Sequence, residues 1–166
     1  MKLAPQDRHS ARGLRVAVLC ARFNAAVTDG LRDGAVAALR EMGAAAKNIH
    51  VFDVPGAFEL PLVAREAARS KRFDAVIALG AVIKGDTDHY EHVARAAASG
   101  LAAASLETGI PVAFGVLTVR RPRQALVRAQ PGPDNKGAEA ARAAVATVHA
   151  LRAVGAPSSR RSRTAR

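Results

Sequence analysis

The chain of 166 residues predicts a three-layer α/β/α sandwich built on a four-stranded parallel sheet, and three observations carry that expectation. Four short apolar runs, each bounded by glycine, proline or polar residues, have the look of strands buried on both faces. Between them lie stretches whose apolar residues recur at helical spacing. Strands that alternate with helices of this length need crossover connections, which run right-handed and cover both faces of a parallel sheet. The composition, 49% hydrophobic and 23% charged, is that of an ordinary globular chain long enough for one core.

Taken in order, residues 1–13 carry Pro5, Gly13 and scattered charge and read as an N-terminal arm. Arg15 to Ala21 is the first strand; it ends at Arg22-Phe23-Asn24, after which Val27, Leu31, Ala35, Ala38 and Leu39 mark a helix that stops at Gly43. Ile49 to Val54 is the second strand, halted by Pro55-Gly56. An alanine-rich helix follows from Glu59 to Ser70 and tolerates Pro61 because it falls in the first turn. The third strand, Ala75 to Leu79, is bounded by Gly80. Gly85 then breaks the chain, Thr87 or Asp88 can cap the next helix, and Glu91 is placed to reach back to Asp88 as in a capping box. That helix runs through Val93, Ala97, Leu101 and Ala104 towards Gly109. Pro111 to Thr118 is the fourth strand, followed by a short helix from Pro122 to Ala129 anchored by Leu126 and Ala129. Gln130-Pro-Gly-Pro-Asp is a break, and a last helix runs from about Lys136 to Val154. Residues 14–155 thus form a single domain, and residues 156–166, with four arginines and no acid, read as a disordered basic tail.

The formal charge of +11 invites a nucleic-acid reading, but without the tail it falls to +7. Five Phe, one Tyr and no Trp leave little to stack on bases, so specific single-strand binding is not expected and only loose attraction to polyanions stays open. One cysteine, with no leading apolar run and no membrane span, points to a soluble cytoplasmic protein. Cys20 closes an apolar strand and reads as a small core residue rather than a nucleophile.

In open parallel sheets ligands bind outside the carboxyl ends of the strands. Those ends hold Phe23, then Ala57-Phe58-Glu59, then Gly80 to Thr87 running into His89. A helix start after a buried strand offers free N–H groups to an anion, and here it adjoins a histidine that can carry protons. Phe23 offers a flat face to a heteroaromatic ring, and Gly56 and Ala57 leave room for polyol hydroxyls to reach Glu59. His89 and His92 stand one helical turn apart, yet no cysteine or third spaced histidine joins them, so no metal is expected.

Together, Ala21-Arg-Phe-Asn, Val54-Pro-Gly-Ala-Phe-Glu-Leu-Pro, Gly80-Ala-Val-Ile-Lys-Gly-Asp-Thr-Asp-His, Pro111-Val-Ala-Phe-Gly-Val-Leu-Thr and Asn135-Lys-Gly-Ala-Glu-Ala-Ala resemble the lumazine synthases in order and spacing, over roughly Leu14 to Leu151. The resemblance implies a flavodoxin-like sheet and a transferase of riboflavin biosynthesis. It would condense 5-amino-6-(D-ribitylamino)uracil with 3,4-dihydroxy-2-butanone 4-phosphate to 6,7-dimethyl-8-ribityllumazine, with neither cofactor nor metal. It also implies that Phe23 stacks on the pyrimidine, that Ala57, Phe58 and Glu59 hold the ribityl chain, and that Ala81, Val82 and Ile83 read the pyrimidine edge. Asp86 and Thr87 would meet the phosphate, and His89 would carry protons. Phe114 and Arg128 would reach the site of a neighbouring subunit in a homo-oligomer, a pentamer at least. The chain departs from the family in Gln130 to Asp134, where relatives usually carry a lysine-bearing turn, and at His92, where they usually have an aromatic. A flavodoxin-like module that binds a flavin or nucleotide without turnover is the alternative, and a polyanion-binding structural protein is a third class.

Overall fold

The structure is a computed structural model that describes residues 9–155. The basic tail 156–166 and the first eight residues of the arm lie outside the described residues. The elements are β1 (Val16–Ala21), α1 (Ala25–Glu41), β2 (Ile49–Val54), α2 (Leu60–Arg69), β3 (Ala75–Ile83), α3 (His89–Thr108), β4 (Val112–Val119), α4 (Pro122–Ala129) and α5 (Lys136–Gly155). A single 3-10 turn at Ala46–Asn48 leads into β2. All strand pairs are parallel, in the order β2-β1-β3-β4. The sequence-predicted elements are all present, with boundaries displaced by a residue or two except that β3 runs four residues further, through Gly80 to Ile83.

Every residue of β1 is buried, and alternation along the strand divides its side chains between two apolar layers. Val16 and Val18 join Leu31, Leu39, Ala141 and Val145 under α1 and α5. Ala17, Leu19 and Ala21 join Leu60, Ala64 and Leu101 under α2 and α3. Edge strand β2 is different: Val51 to Asp53 are exposed, because a strand with one neighbour has one uncovered flank. Its inner ring contacts are edge-on, with His50 and Phe52 at 5.4 and 6.0 Å from Phe73. Among the described residues no helix is long and apolar enough to cross a membrane.

The expected arm ends inside the core. Ala11 is fully buried and its N–H donates to the Met42 carbonyl at 2.8 Å, while the His9 ring stacks on His149 of α5 at 4.9 Å.

Two helix seams depend on small residues. A Cβ on Gly137 would stand 1.8 Å from the Leu31 carbonyl oxygen, and one on Gly34 would meet the Asn135 side chain at 2.1 Å, so α1 and α5 cross with almost no side chain between them. Buried Asn135 fastens that crossing. Its amide Nδ2 donates to the carbonyls of Gly30, Ala129 and Gln130 at 2.9–3.1 Å, and its Oδ1 accepts from the Ala138 N–H at 3.0 Å, capping α5. The anchors of α4 are Ala125 and Ala129, whereas Leu126, expected inside, is 43% exposed. The short methyls allow α4 to lie close on α1, where a Cβ on Gly30 would come within 2.5 Å of the Ala129 carbonyl; leucine would not fit that seam.

Candidate active site

The site lies at the carboxyl ends of β1, β2 and β3. With the order β2-β1-β3-β4, the connections leave β1 and β3 in opposite senses, and the crevice opens between those two strands. One cleft of about 490 Å³ there is lined by Phe23, Ala57, Phe58, Glu59, Ala81, Val82, Ile83, Thr87 and His89, together with Asn24, Gly56 and Tyr90.

Each wall has a local cause. As β1 ends, the Arg22 N–H donates to the Val54 carbonyl at 2.7 Å and the Phe23 N–H to the Pro55 carbonyl at 3.1 Å. These bonds zip the first and second strand ends together and leave the Phe23 ring 73% exposed over the cleft. Arg22 itself points away, to Asp29 at 3.0 Å. Ala57 is buried beneath the loop while Phe58 beside it is exposed. Glu59 is the residue before α2 and its carboxylate folds back over Gly56, where a Cβ would come within 2.9 Å of Oε2.

The third wall is the end of β3. Its pairing with β1 stops at Cys20↔Leu79, while pairing with β4 continues to Ile83↔Val119. Gly80 to Ile83 therefore overhang on the β1 side, where the Asn24 amide reaches the Ala81 carbonyl. Beyond the overhang, α3 starts at His89. The expected capping box is absent. Asp88 stands at the N-cap with φ −80° and ψ 7°, and no side chain caps the helix; the extended backbone that lets a capping carboxylate turn back is missing. Glu91 instead accepts the Tyr90 hydroxyl at 3.1 Å, a bond that favours the neutral phenol and raises its pKa above the ordinary value. Apart from the Glu91 N–H, which donates to the Asp88 carbonyl at 2.9 Å, the first N–H groups of α3 are free of side-chain caps and can meet an anion, with His89 exposed beside them. The Lys84 ammonium lies 5.5 Å from the centre of the Tyr90 ring, close by. Asp86 is exposed in the same turn but is not among the residues lining the cleft.

Phe114 and Arg128 are elsewhere. They line a second cavity of about 400 Å³ along β4 and α5, with Lys136, Glu139 and Thr147. Arg128 is the one arginine of α4 in that lining, and its Nη1 donates to the Gln124 carbonyl of its own helix at 2.9 Å. Arg121 and Arg123 are exposed and outside it. Lys136 pairs with Glu139 one helical turn on. Cys20 is buried, its thiol directed at the Thr28 carbonyl, and burial pushes its pKa up. It is inert by environment.

Sequence reasoning missed Asn24 and Tyr90 as cleft residues. Asn24 had a signal, since an asparagine between a strand and a helix marks a special backbone position, and its place beside Phe23 put it at the strand end.

The family model of 6,7-dimethyl-8-ribityllumazine synthase matches residues 13–152. The 6,7-dimethyl-8-ribityllumazine synthase of Syntrophus aciditrophicus is 47% identical over 154 residues, which cover 93% of this chain and 100% of that one. That of Deinococcus deserti is 49% identical over 144 residues, covering 87% and 92%. The Yersinia pestis protein of the same name is 50% identical over 141 residues, covering 84% and 90%.

Proposed function

The chain belongs to the 6,7-dimethyl-8-ribityllumazine synthase family and condenses 5-amino-6-(D-ribitylamino)uracil with 3,4-dihydroxy-2-butanone 4-phosphate in riboflavin biosynthesis; we propose that it does so in the cleft between β1 and β3. The observation that carries this assignment is His89 beside an uncapped helix N-terminus, in the same cleft as an exposed aromatic ring and an uncovered strand end. One histidine, one anion site, one stacking face and one hydrogen-bonding edge are what the two substrates require.

In this reading Phe23 stacks on the pyrimidine, and the main chain of Ala81 to Ile83 reads its edge. The ribityl chain lies along Ala57, Phe58 and Glu59. The phosphate sits at the start of α3, held by Thr87 and by N–H groups aligned with the helix dipole, with Asp86 in the turn beside it. The aryl amine attacks the ketone and loses water to form an imine, phosphate leaves by elimination, and the ribityl-bearing nitrogen closes the ring onto the remaining carbonyl with loss of a second water. Each step moves a proton, and an imidazole can act in both directions. Orientation of two small reactants supplies the greater part of the acceleration, since effective molarities of about 10⁵ M or more are available from it.

We further infer that the complete site needs a second copy of the chain, with Phe114 and Arg128 supplied from across an interface and a pentamer as the assembly. What supports this is that these two residues share a cavity along the open flank of β4, separate from the cleft. A guanidinium there can grip a phosphate through two parallel charge-assisted bonds. Residues 14–155 are read as the catalytic domain. The compartment is read as the cytoplasm, since the one thiol is buried and unpaired as in proteins kept reduced.

Mixing the two substrates with the protein and following the absorbance of the lumazine product tests the assignment. Product is expected. Folded, assembled protein that binds the pyrimidine and gives no product would make the cleft a flavodoxin-like binding module instead.

A further inference from the structure

We propose that Asn24 is a positioning residue, which holds the pyrimidine-reading end of β3 by lending its side-chain amide to a strand whose neighbour has turned away. The proposal rests on the cleft assignment made above.

The argument starts from the sheet. Main-chain groups of successive residues in a parallel strand point to alternate flanks. The Lys84 N–H donates to the Val119 carbonyl on the β4 side, so Ala81 and Ile83 direct their groups to the other flank. On that flank the register with β1 ends at Cys20↔Leu79, and by Asn24 the first strand has become the start of α1. An overhang held from one side only is free to twist. The Asn24 Nδ2 donates to the Ala81 carbonyl at 2.8 Å, across 57 positions of sequence, and takes the place of the missing strand at that point.

The backbone of Asn24 shows what the residue is for. Asparagine at a helix N-cap normally has extended φ and ψ and caps with its own side chain. Here φ is 64° and ψ is 43°, in the left-handed region, and the side chain makes no capping bond. Its carbonyl still accepts the N–H groups of Val27 and Thr28 at 2.8 and 3.1 Å, so the helix start is served by the main chain while the amide turns to β3. Glycine would suit the left-handed backbone better; an amide side chain is needed only for the bond to Ala81. Because Phe23 is the preceding residue and is pinned to Pro55, the 23–24 peptide sets the spacing between the ring that stacks and the strand edge that reads.

Two variants separate these roles. Asn24→Gly keeps the left-handed turn and removes the amide. Asn24→Asp keeps shape and conformation but sets a carboxylate oxygen against the Ala81 carbonyl. Steady-state rates with each substrate varied should show the KM for the pyrimidine raised about tenfold by Asn24→Gly, the effect of roughly one hydrogen bond, and raised further by Asn24→Asp. The KM for the butanone phosphate should stay within about twofold, and kcat should fall less than the pyrimidine KM rises. A merely structural role would move both KM values together, and that result, or an unchanged pyrimidine KM in the Asn24→Gly protein, overturns the proposal. Phe23→Ala measured alongside tells two failures apart. If it raises the pyrimidine KM and the Asn24 variants do not, the Asn24 role alone is wrong; if it too leaves that KM unchanged, the cleft assignment falls and the Asn24 role with it.

Discussion

His89 sits exposed at the first turn of α3, next to N–H groups that no side chain caps. In that position it is available to whatever lies over the helix start, and nothing in the fold depends on its side chain. His89→Ala should therefore leave the melting temperature and pyrimidine affinity nearly unchanged while slowing turnover by about 10² or less, the lower part of the range for acid–base help, because orientation survives the change. Equilibrium binding of the pyrimidine beside single-turnover rates would check this; a loss of affinity as large as the loss of rate would make His89 a binding residue. At this scale much of the cleft was legible, since Phe23, Glu59 and His89 are chemically distinctive residues at strand ends. Asn24 was legible only as a special backbone position between strand and helix; its bond to Ala81 was not, because that bond depends on how far β3 outruns β1, a long-range fact of the sheet. The pattern of Asp88 and Glu91 read as a capping box and failed because Asp88 lacks the extended N-cap backbone, and Glu91 accepts the Tyr90 hydroxyl instead.

Among the described residues, the four strands and the longer α-helices were legible because each carries an apolar run or stripe, while α4 was placed but not phased. Periodicity did not show how closely the helices approach. Large apolar residues announce a core, whereas the α1–α5 crossing is made by the absence of side chains at Gly34 and Gly137 and by the four hydrogen bonds of Asn135. The misplacement of Leu126 has the same origin, because an alanine seam leaves no apolar signal to set the phase of a short helix. Gly137→Ala tests the closeness directly. Its methyl would stand 1.8 Å from a backbone oxygen, which cannot swing aside as a side chain would, so α1 and α5 must separate. The expected cost is about 3 kcal/mol, at the upper end of ordinary overpacking, read from urea midpoints at constant m-value. Gly155→Ala, whose methyl meets nothing within 4 Å, should shift the midpoint little. Equal small shifts from both would mean that the crossing is looser than described.

For the whole molecule, the question is why chemistry-bearing residues stand in two places. The cleft at β1 and β3 holds the Phe23 ring, Ala57 to Glu59 and His89, while Phe114 and Arg128 share the cavity flanked by β4 and α5. Nothing in periodicity or composition would have paired them; only the likeness to a family suggested that they serve one site in an assembly. A ring of identical subunits gives every interface the same two unlike faces, so if those faces are the cleft and the β4 side, the proposed pairing would recur at every interface. Mixed assemblies decide whether this is so. His89→Ala chains, slowed in turnover, and Arg128→Ala chains, weakened for the butanone phosphate, are co-expressed in equal amounts, purified as hetero-oligomers and assayed at low butanone phosphate. If His89 and Arg128 act from different subunits, about a quarter of the interfaces in a random ring bring together an intact His89 and an intact Arg128. Activity should then recover to about a quarter of the unsubstituted protein's value, with a KM for the butanone phosphate like that of the unsubstituted enzyme. If both act within one chain, every site keeps one defect, and the mixture shows only the average of the two parent activities. Recovery at the higher level requires the shared site, whereas the average would return Arg128 to the surface of its own subunit and leave the cleft to work with the residues of a single chain.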